Sequence, residues 1–167
     1  MFKKIVLLAL ILIPSLAFSQ ESQKLAFVKP DEIISQMPEF AQVQDSLNKQ
    51  AQAFEAELQS MKEEYNKKAA AYQEEQEKLI GSIKERRIQE INNILERSET
   101  LQQTAGQEIR ELQQRLLVPV IEKMNKAIED VANENHFIGV FRDEVFLFHS
   151  SQIIDATPLV KTKLGVK

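Results

Sequence analysis

The sequence predicts an α+β chain, mostly α, in which a long antiparallel coiled-coil hairpin is inserted into a small β-rich oligomerisation body. Three observations predict it. A narrow apolar stripe with steps of three and four runs through the middle of the 167 residues. Short, β-prone apolar runs lie near the two ends. Breakers are scarce in the middle: of 4 glycines and 5 prolines, only Gly81, Gly106 and Pro119 fall between Glu39 and Asn135.

Residues 1–19 read as an address. Lys3 and Lys4 form a basic n-region, and an apolar run follows from Ile5 to Ile13. Pro14 breaks the run, and Ala17-Phe18-Ser19 places small residues for a cut before Gln20. This is the layout of a cleavable secretory signal peptide. Ile5 to Phe18 is shorter than the roughly 20 residues of a spanning helix. The mature chain is expected to be exported. Without Lys3 and Lys4 it holds 19 basic against 25 acidic residues, net −6. That charge argues against a nucleic-acid partner.

The body opens with KLAFVK, residues 24–29, read as a strand ending at Pro30. Asp31 is the expected N-cap of a short helix carrying Ile33, Ile34 and Met37, closed by Pro38. This is the first part of the body, residues 20–38. The hairpin is assigned to 39–118. Its first seam is Val43, Leu47, Ala51, Phe54, Leu58, Met61, Tyr65, Ala69, Tyr72, Gln76 and Leu79. Forty residues at 1.5 Å each make a rod of about 60 Å. The tip is expected near 79–83, where Gly81-Ser82 interrupts the pattern. One continuous helix is the rival, because a helix tolerates a glycine at a cost of only about 1 kcal/mol. The second rod runs from Ile83 to Asn135, with a seam through Ile88, Ile91, Leu95, Ser98, Leu101, Ala105, Ile109, Leu112 and Leu116.

Past Leu112 the stripe broadens, so more than one helix must cover it. Pro119 lies within it and disturbs the helix locally. Residues 119–167 form the second part of the body: the helix end, two strands at Phe137–Phe141 and Val145–His149 read as a β-hairpin, and a last helix capped by Asp155 and Thr157. The strands are apolar on both faces. A body of about 70 residues has little core of its own to cover them, so other copies of the chain are the expected cover. The residues assigned to that oligomerisation body are Leu25, Phe27, Val28, Phe137, Val140, Phe141, Val145 and Leu147.

Several function classes drop out. Zero cysteine removes disulfides, thiolate metal sites and cysteine nucleophiles. Scattered glycines form no phosphate-cradling loop. His136 and His149 have no partner at metal-ligand spacing and read as structural or surface residues. No catalytic, metal or cofactor-binding residue is assigned, and the chain is read as a non-enzyme.

The layout resembles the Skp/OmpH family of periplasmic chaperones. The likeness is carried by Lys24–Lys29 and Asp31–Met37, by LLVPVIEKMNKAIEDVANENHF from Leu116 to Phe137, and by DATPLVKTKLG from Asp155 to Gly165. It implies a homotrimer whose three tentacles enclose a cavity for unfolded outer-membrane β-barrel proteins, held without ATP. It also implies a lipid or lipopolysaccharide contact at a basic tentacle patch, for which Lys84, Arg86 and Arg87 are the candidates. Glu85 and Glu90 interleave there, so a solvated charged face is the competing reading. The well-known members are strongly basic, whereas this mature chain is acidic. Holding must then rest on weak apolar contacts and confinement. Phe54, Met61, Tyr65 and Tyr72 are candidate client contacts, although their spacing places them on the seam. Ala53, Ala70 and Ala71 lie off it. A coiled-coil envelope scaffold binding a folded partner is the alternative function.

Overall fold

The structure is a computed structural model that describes residues 24–166. The leader expected at 1–19 lies outside the described residues.

Strand β1 (Lys24–Val28) leads into helix α1 (Pro30–Gln36). Pro30 occupies the first helical position, where its fixed φ is suited and its missing N–H is not needed. Lys29 therefore stands at the N-cap, and Asp31 lies inside the first turn rather than capping it. Its charge still complements the helix N-terminus there. Met37 is extended, with ψ 129°, as the residue before a proline prefers. Pro38 then restarts the chain as α2 (Pro38–Glu75).

Helix α2 turns back through 76–80 into α3 (Gly81–Asn135). The two helices pack along their length, which decides for the hairpin over one continuous helix. The turn comes slightly earlier than expected. Gly81 is the first residue of α3, not part of the turn, and the Ile80 carbonyl accepts from the Ile83 and Lys84 N–H groups at 3.0 Å. At 1.5 Å per residue the arms extend roughly 55 Å along α2 and farther along α3. Helix α3 continues through Pro119 and ends at His136, which is left-handed at φ 57°. The His136 N–H closes the end on the Ala132 and Asn133 carbonyls.

The sheet corrects the expected β-hairpin. Strand β2 (Phe137–Arg142) is present, but 145–149 forms no strand. Asp143–Val145 coils into a 3₁₀ turn closed by Phe146 N–H on the Asp143 carbonyl at 3.1 Å, and the chain wanders to Ile153. The third strand is β3 (Ile154–Asp155). Strand order is β2-β1-β3, and both pairings are parallel. Two consecutive strands cannot run parallel across a tight turn. A crossover is required, and between β1 and β2 that crossover is α1 with the entire hairpin.

Side chains alternate across β1. Ala26 and Val28 face the helices and join Ile33, Met37, Val43, Val120, Met124, Val131 and Val160 in one core. Val160 belongs to the last helix, α4 (Thr157–Leu164). Asp155 Oδ1 accepts from the Thr157 N–H at 2.9 Å, as a capping residue would. The buried Thr157 hydroxyl does something else: it accepts the Lys29 N–H at 3.1 Å, joining α4 to the end of β1. Three ion pairs tie the helices around this core. Lys161 reaches Glu32 at 2.6 Å, Lys163 reaches Glu134 at 2.5 Å, and Lys123 meets Glu39 at the root of the arm.

Candidate functional site

The other face of the sheet is covered far less. Leu25 and Phe27 alternate onto it from β1, and Phe141 pairs with Phe27 from β2. Only the segment after β2 shields them. Phe146 meets Phe27 and Phe141 edge-on at 6.5 and 5.5 Å between ring centres. His149 lays its ring 4.7 Å from Phe27, so it is a packing residue. Gly139 lets this layer close tightly: a Cβ there would sit 3.3 Å from the Phe141 ring and 3.4 Å from Leu25, so both side chains would have to give by a few tenths of an ångström.

Outside this cluster the apolar residues stand open. Ile138 is 60% exposed, Val145 64%, Phe148 84%, and Leu147 fully. Of the residues assigned to the oligomerisation body, Phe27 and Val28 are buried within the single chain. Leu25, Phe137 and Val140 are half-buried, while Phe141, Val145 and Leu147 are exposed. Apolar side chains clustered at one end of a molecule mark an interaction surface.

The arm is built differently. In α2 the expected seam positions from Val43 to Tyr72 are buried or half-buried, with Phe54 and Met61 most enclosed. The last two do not belong to it: α2 ends at Glu75, so Gln76, exposed, and Leu79, half-buried, lie in the turn. Tyr65 and Tyr72 are half-buried. In α3 the expected seam needs a correction. Ile94 is buried, whereas Ile88 and Leu95 stand 41% and 42% exposed. Passing through Ile91, Ile94, Ser98 and Leu101 keeps the same alternation of three and four, so spacing alone does not separate the two tracks. Leu95 is thereby pushed to the edge of the seam. There it lines a groove of about 360 Å³ with Leu58, Met61, Tyr65 and Ile94. The signal available in the sequence was a second heptad pair, Ile88 and Leu95, beside Leu58 and Tyr65.

The basic cluster is spread around α3 rather than gathered. Arg86 and Arg87 are exposed and Lys84 is half-buried. At 100° per residue, Lys84 and Arg86 point to nearly opposite sides. Arg86 Nε lies 3.8 Å from Glu90, whose other oxygen accepts from Lys68 at 3.1 Å. Hydrogen bonding and the charge of Lys68 hold the Glu90 carboxyl below the ordinary glutamate range. Ala53, Ala70 and Ala71 are all exposed. Among the described residues no three histidines or carboxylates gather to hold a metal ion, and no helix is long and apolar enough to cross a membrane.

A model of the OmpH-like outer membrane protein family matches residues 24–164. The chain belongs to the OmpH-like family. Its fold also matches a crystal structure from Caulobacter crescentus, described as a candidate OmpH-like outer membrane chaperone. That match has a TM-score of 0.74 at 16% identity, over 84% of this chain and 82% of that one. A search of the curated proteins finds no match. The family match spans the body, the hairpin and the C-terminal helix together, so the whole arrangement is the family's fold.

Proposed function

We propose that this OmpH-like protein is an ATP-independent periplasmic holdase that shelters unfolded outer-membrane β-barrel proteins between helical arms. The observation that carries the reading is the pairing of a long two-helix arm with a small base whose sheet leaves one face largely uncovered. The base joins copies through that face, around Phe141, Val145 and Leu147, into a homotrimer. The arms project from it and enclose the client. The family and the likeness to the Caulobacter crescentus protein support this assignment.

The mechanism has no chemical step and no catalytic residue. The long hairpin is stabilised mainly by its own seam, so it is the part of the molecule free to adapt to a client's size. Net charge supplies little attraction. From Glu39 to Ile80 there are 5 basic and 9 acidic residues, and from Gly81 to Asn135 there are 8 and 10. Many weak apolar contacts and confinement do the holding. A lipid or lipopolysaccharide contact at Lys84, Arg86 and Arg87 is at most weak, because Glu85 and Glu90 interleave with them.

The test is light scattering after a urea-unfolded outer-membrane porin is diluted into buffer, with and without the mature protein and with no nucleotide. Suppression near one oligomer per client is the expected result. Unchanged scattering with several barrels, together with tight stoichiometric binding to one folded envelope protein, would instead establish a scaffold.

A further inference from the structure

We propose that each arm has a holding side and a solvent side, and that the holding side is the flank carrying Leu58, Tyr65 and Leu95. The inference rests on the holdase reading and names the surface through which it works.

The hairpin's two flanks differ in chemistry. On one, Leu58 and Tyr65 of α2 and Leu95 of α3 line an open groove of about 360 Å³ floored by Met61 and Ile94. Ile88, one heptad before Leu95, extends the apolar row toward the tip and is 41% exposed. Only one acid and one base, Glu55 and Lys62, stand on the groove's rim, with Gln59 and Gln102 beside them.

The opposite flank is charged from tip to root. At 3.6 residues per turn, Glu57, Glu64 and Arg97 fall on that side of the seam. Lys68 spans the two helices there, 3.9 Å from Glu64 and 3.1 Å from Glu90. Nearer the base the same flank presents Gln50, Glu108, Glu111 and Arg115 around a second, polar groove. Leu58 and Tyr65 serve the seam and the groove at once, whereas Ile88 and Leu95, 41% and 42% exposed at the seam's edge, contribute little to closing the hairpin.

The groove fits an apolar side chain of an unfolded polypeptide better than a folded partner or a second copy. A stable interface between folded proteins needs roughly 800 Å² from each partner, and four half-exposed side chains provide far less. The rim charges cancel, so nothing selects a charged ligand. A tyrosine face and leucine methyls give contact that tolerates sequence. Such contacts are weak singly and add up across the arms of one oligomer.

The chain has no cysteine, so single cysteines can report each flank. Gln59→Cys and Gln102→Cys mark the groove side, and Glu57→Cys and Arg97→Cys mark the charged side; all four positions are exposed. Maleimide labelling of the full mature oligomer is timed with and without unfolded porin. The expected result is labelling slowed several-fold by porin at positions 59 and 102, and unchanged at 57 and 97. In parallel, the Tyr65→Ser, Leu95→Ser double variant should need about tenfold more protein to suppress porin aggregation. Leu95→Gln, at a side chain already half in water, repeats the test without disturbing the seam. If the wild type does not suppress aggregation, the holdase reading falls and this inference falls with it. If it does, but porin protects both flanks alike or L95Q holds as well as wild type, the inference alone is overturned. Slow labelling at 59 and 102 without any porin would assign the flank to contacts between copies, which also overturns it.

Discussion

The base and the arm bury their apolar residues by different rules. In the base, eleven buried residues form one cluster drawn from both ends of the chain and from the roots of both long helices. In the arm, between Leu47 and Leu116, Phe54, Met61 and Ile94 alone are buried. A core residue surrounded by several elements is lost only if the whole base opens. A seam residue faces one partner helix and can be released locally. Rigidity therefore belongs to the base and adaptability to the arm.

The largest effect should come from breaking the base. Ile33 has no exposed surface, and Ile33→Ala leaves a cavity with several walls. The expected loss is about 2–5 kcal/mol of global stability, read from denaturant unfolding. Phe54→Ala should cost about 3 kcal/mol, the low end for a phenylalanine, because a two-helix seam can collapse on the gap, and the loss should be local. Amide exchange should speed up along the arm while β1 and α4 stay protected. If both variants loosen both regions equally, the division between base and arm is wrong. Removing Phe54 to Ile109 is the stronger form of this test. The shortened chain should keep its oligomer, measured by sedimentation, and lose its holding of porin.

A smaller effect sharpens how the base is tied together. Thr157→Val removes the acceptor of the Lys29 N–H while keeping the side chain's shape. About 1–2 kcal/mol of stability should go with it, without change in the arm.

The smallest effect concerns pH. The hydrogen bond from Lys123, followed by backbone hydrogen bonding, holds the Glu39 carboxyl below the ordinary glutamate range. A lowered folded value means that the group favours the folded state above the unfolded value, and that this contribution is lost as pH falls through the folded one. Acidification below the ordinary glutamate range should therefore lower Tm slightly, and Glu39→Gln should flatten that slope. Because Glu39 and Lys123 are both partly in water, the difference should be a few tenths of a kcal/mol at most.

Much of this architecture was legible in the sequence, and the exceptions have physical causes. The α2 seam could be read as far as Tyr72, because local periodicity determines it; the last two steps, to Gln76 and Leu79, overran the helix, since a turn without glycine or proline leaves no mark in the spacing. The α3 seam slipped between Ile94 and Leu95, since both satisfy the alternation and only the partner helix chooses. The strand at β2 was legible from its composition. The 145–149 run was not a strand despite its Val, Phe and Leu content. Its neighbours are an aromatic cluster and solvent, not a ladder, and β propensity reflects the surface a residue packs on as much as the backbone. The two-residue β3 carried no signal of its own. Asp31 lost the cap to Lys29 because Pro30 begins the helix two positions earlier than expected. The basic triplet looked like a patch in one dimension, and the helix distributes it around its axis.

The parallel sheet also imposes an order on assembly. Its central strand, β1, is the first described segment to be made, and both of its neighbours lie beyond the arm. Until Phe137 arrives, β1 has no strand to pair with. Closing so long a loop by chance is slow. The hairpin's contacts, by contrast, build outward from its own turn and can zip toward the root, drawing Val43 and Val120 together. That closure delivers the start of α3's final turns, and then β2, to the waiting β1. The arm thus acts as a splint for its own base, bringing together strands that lie far apart in the chain.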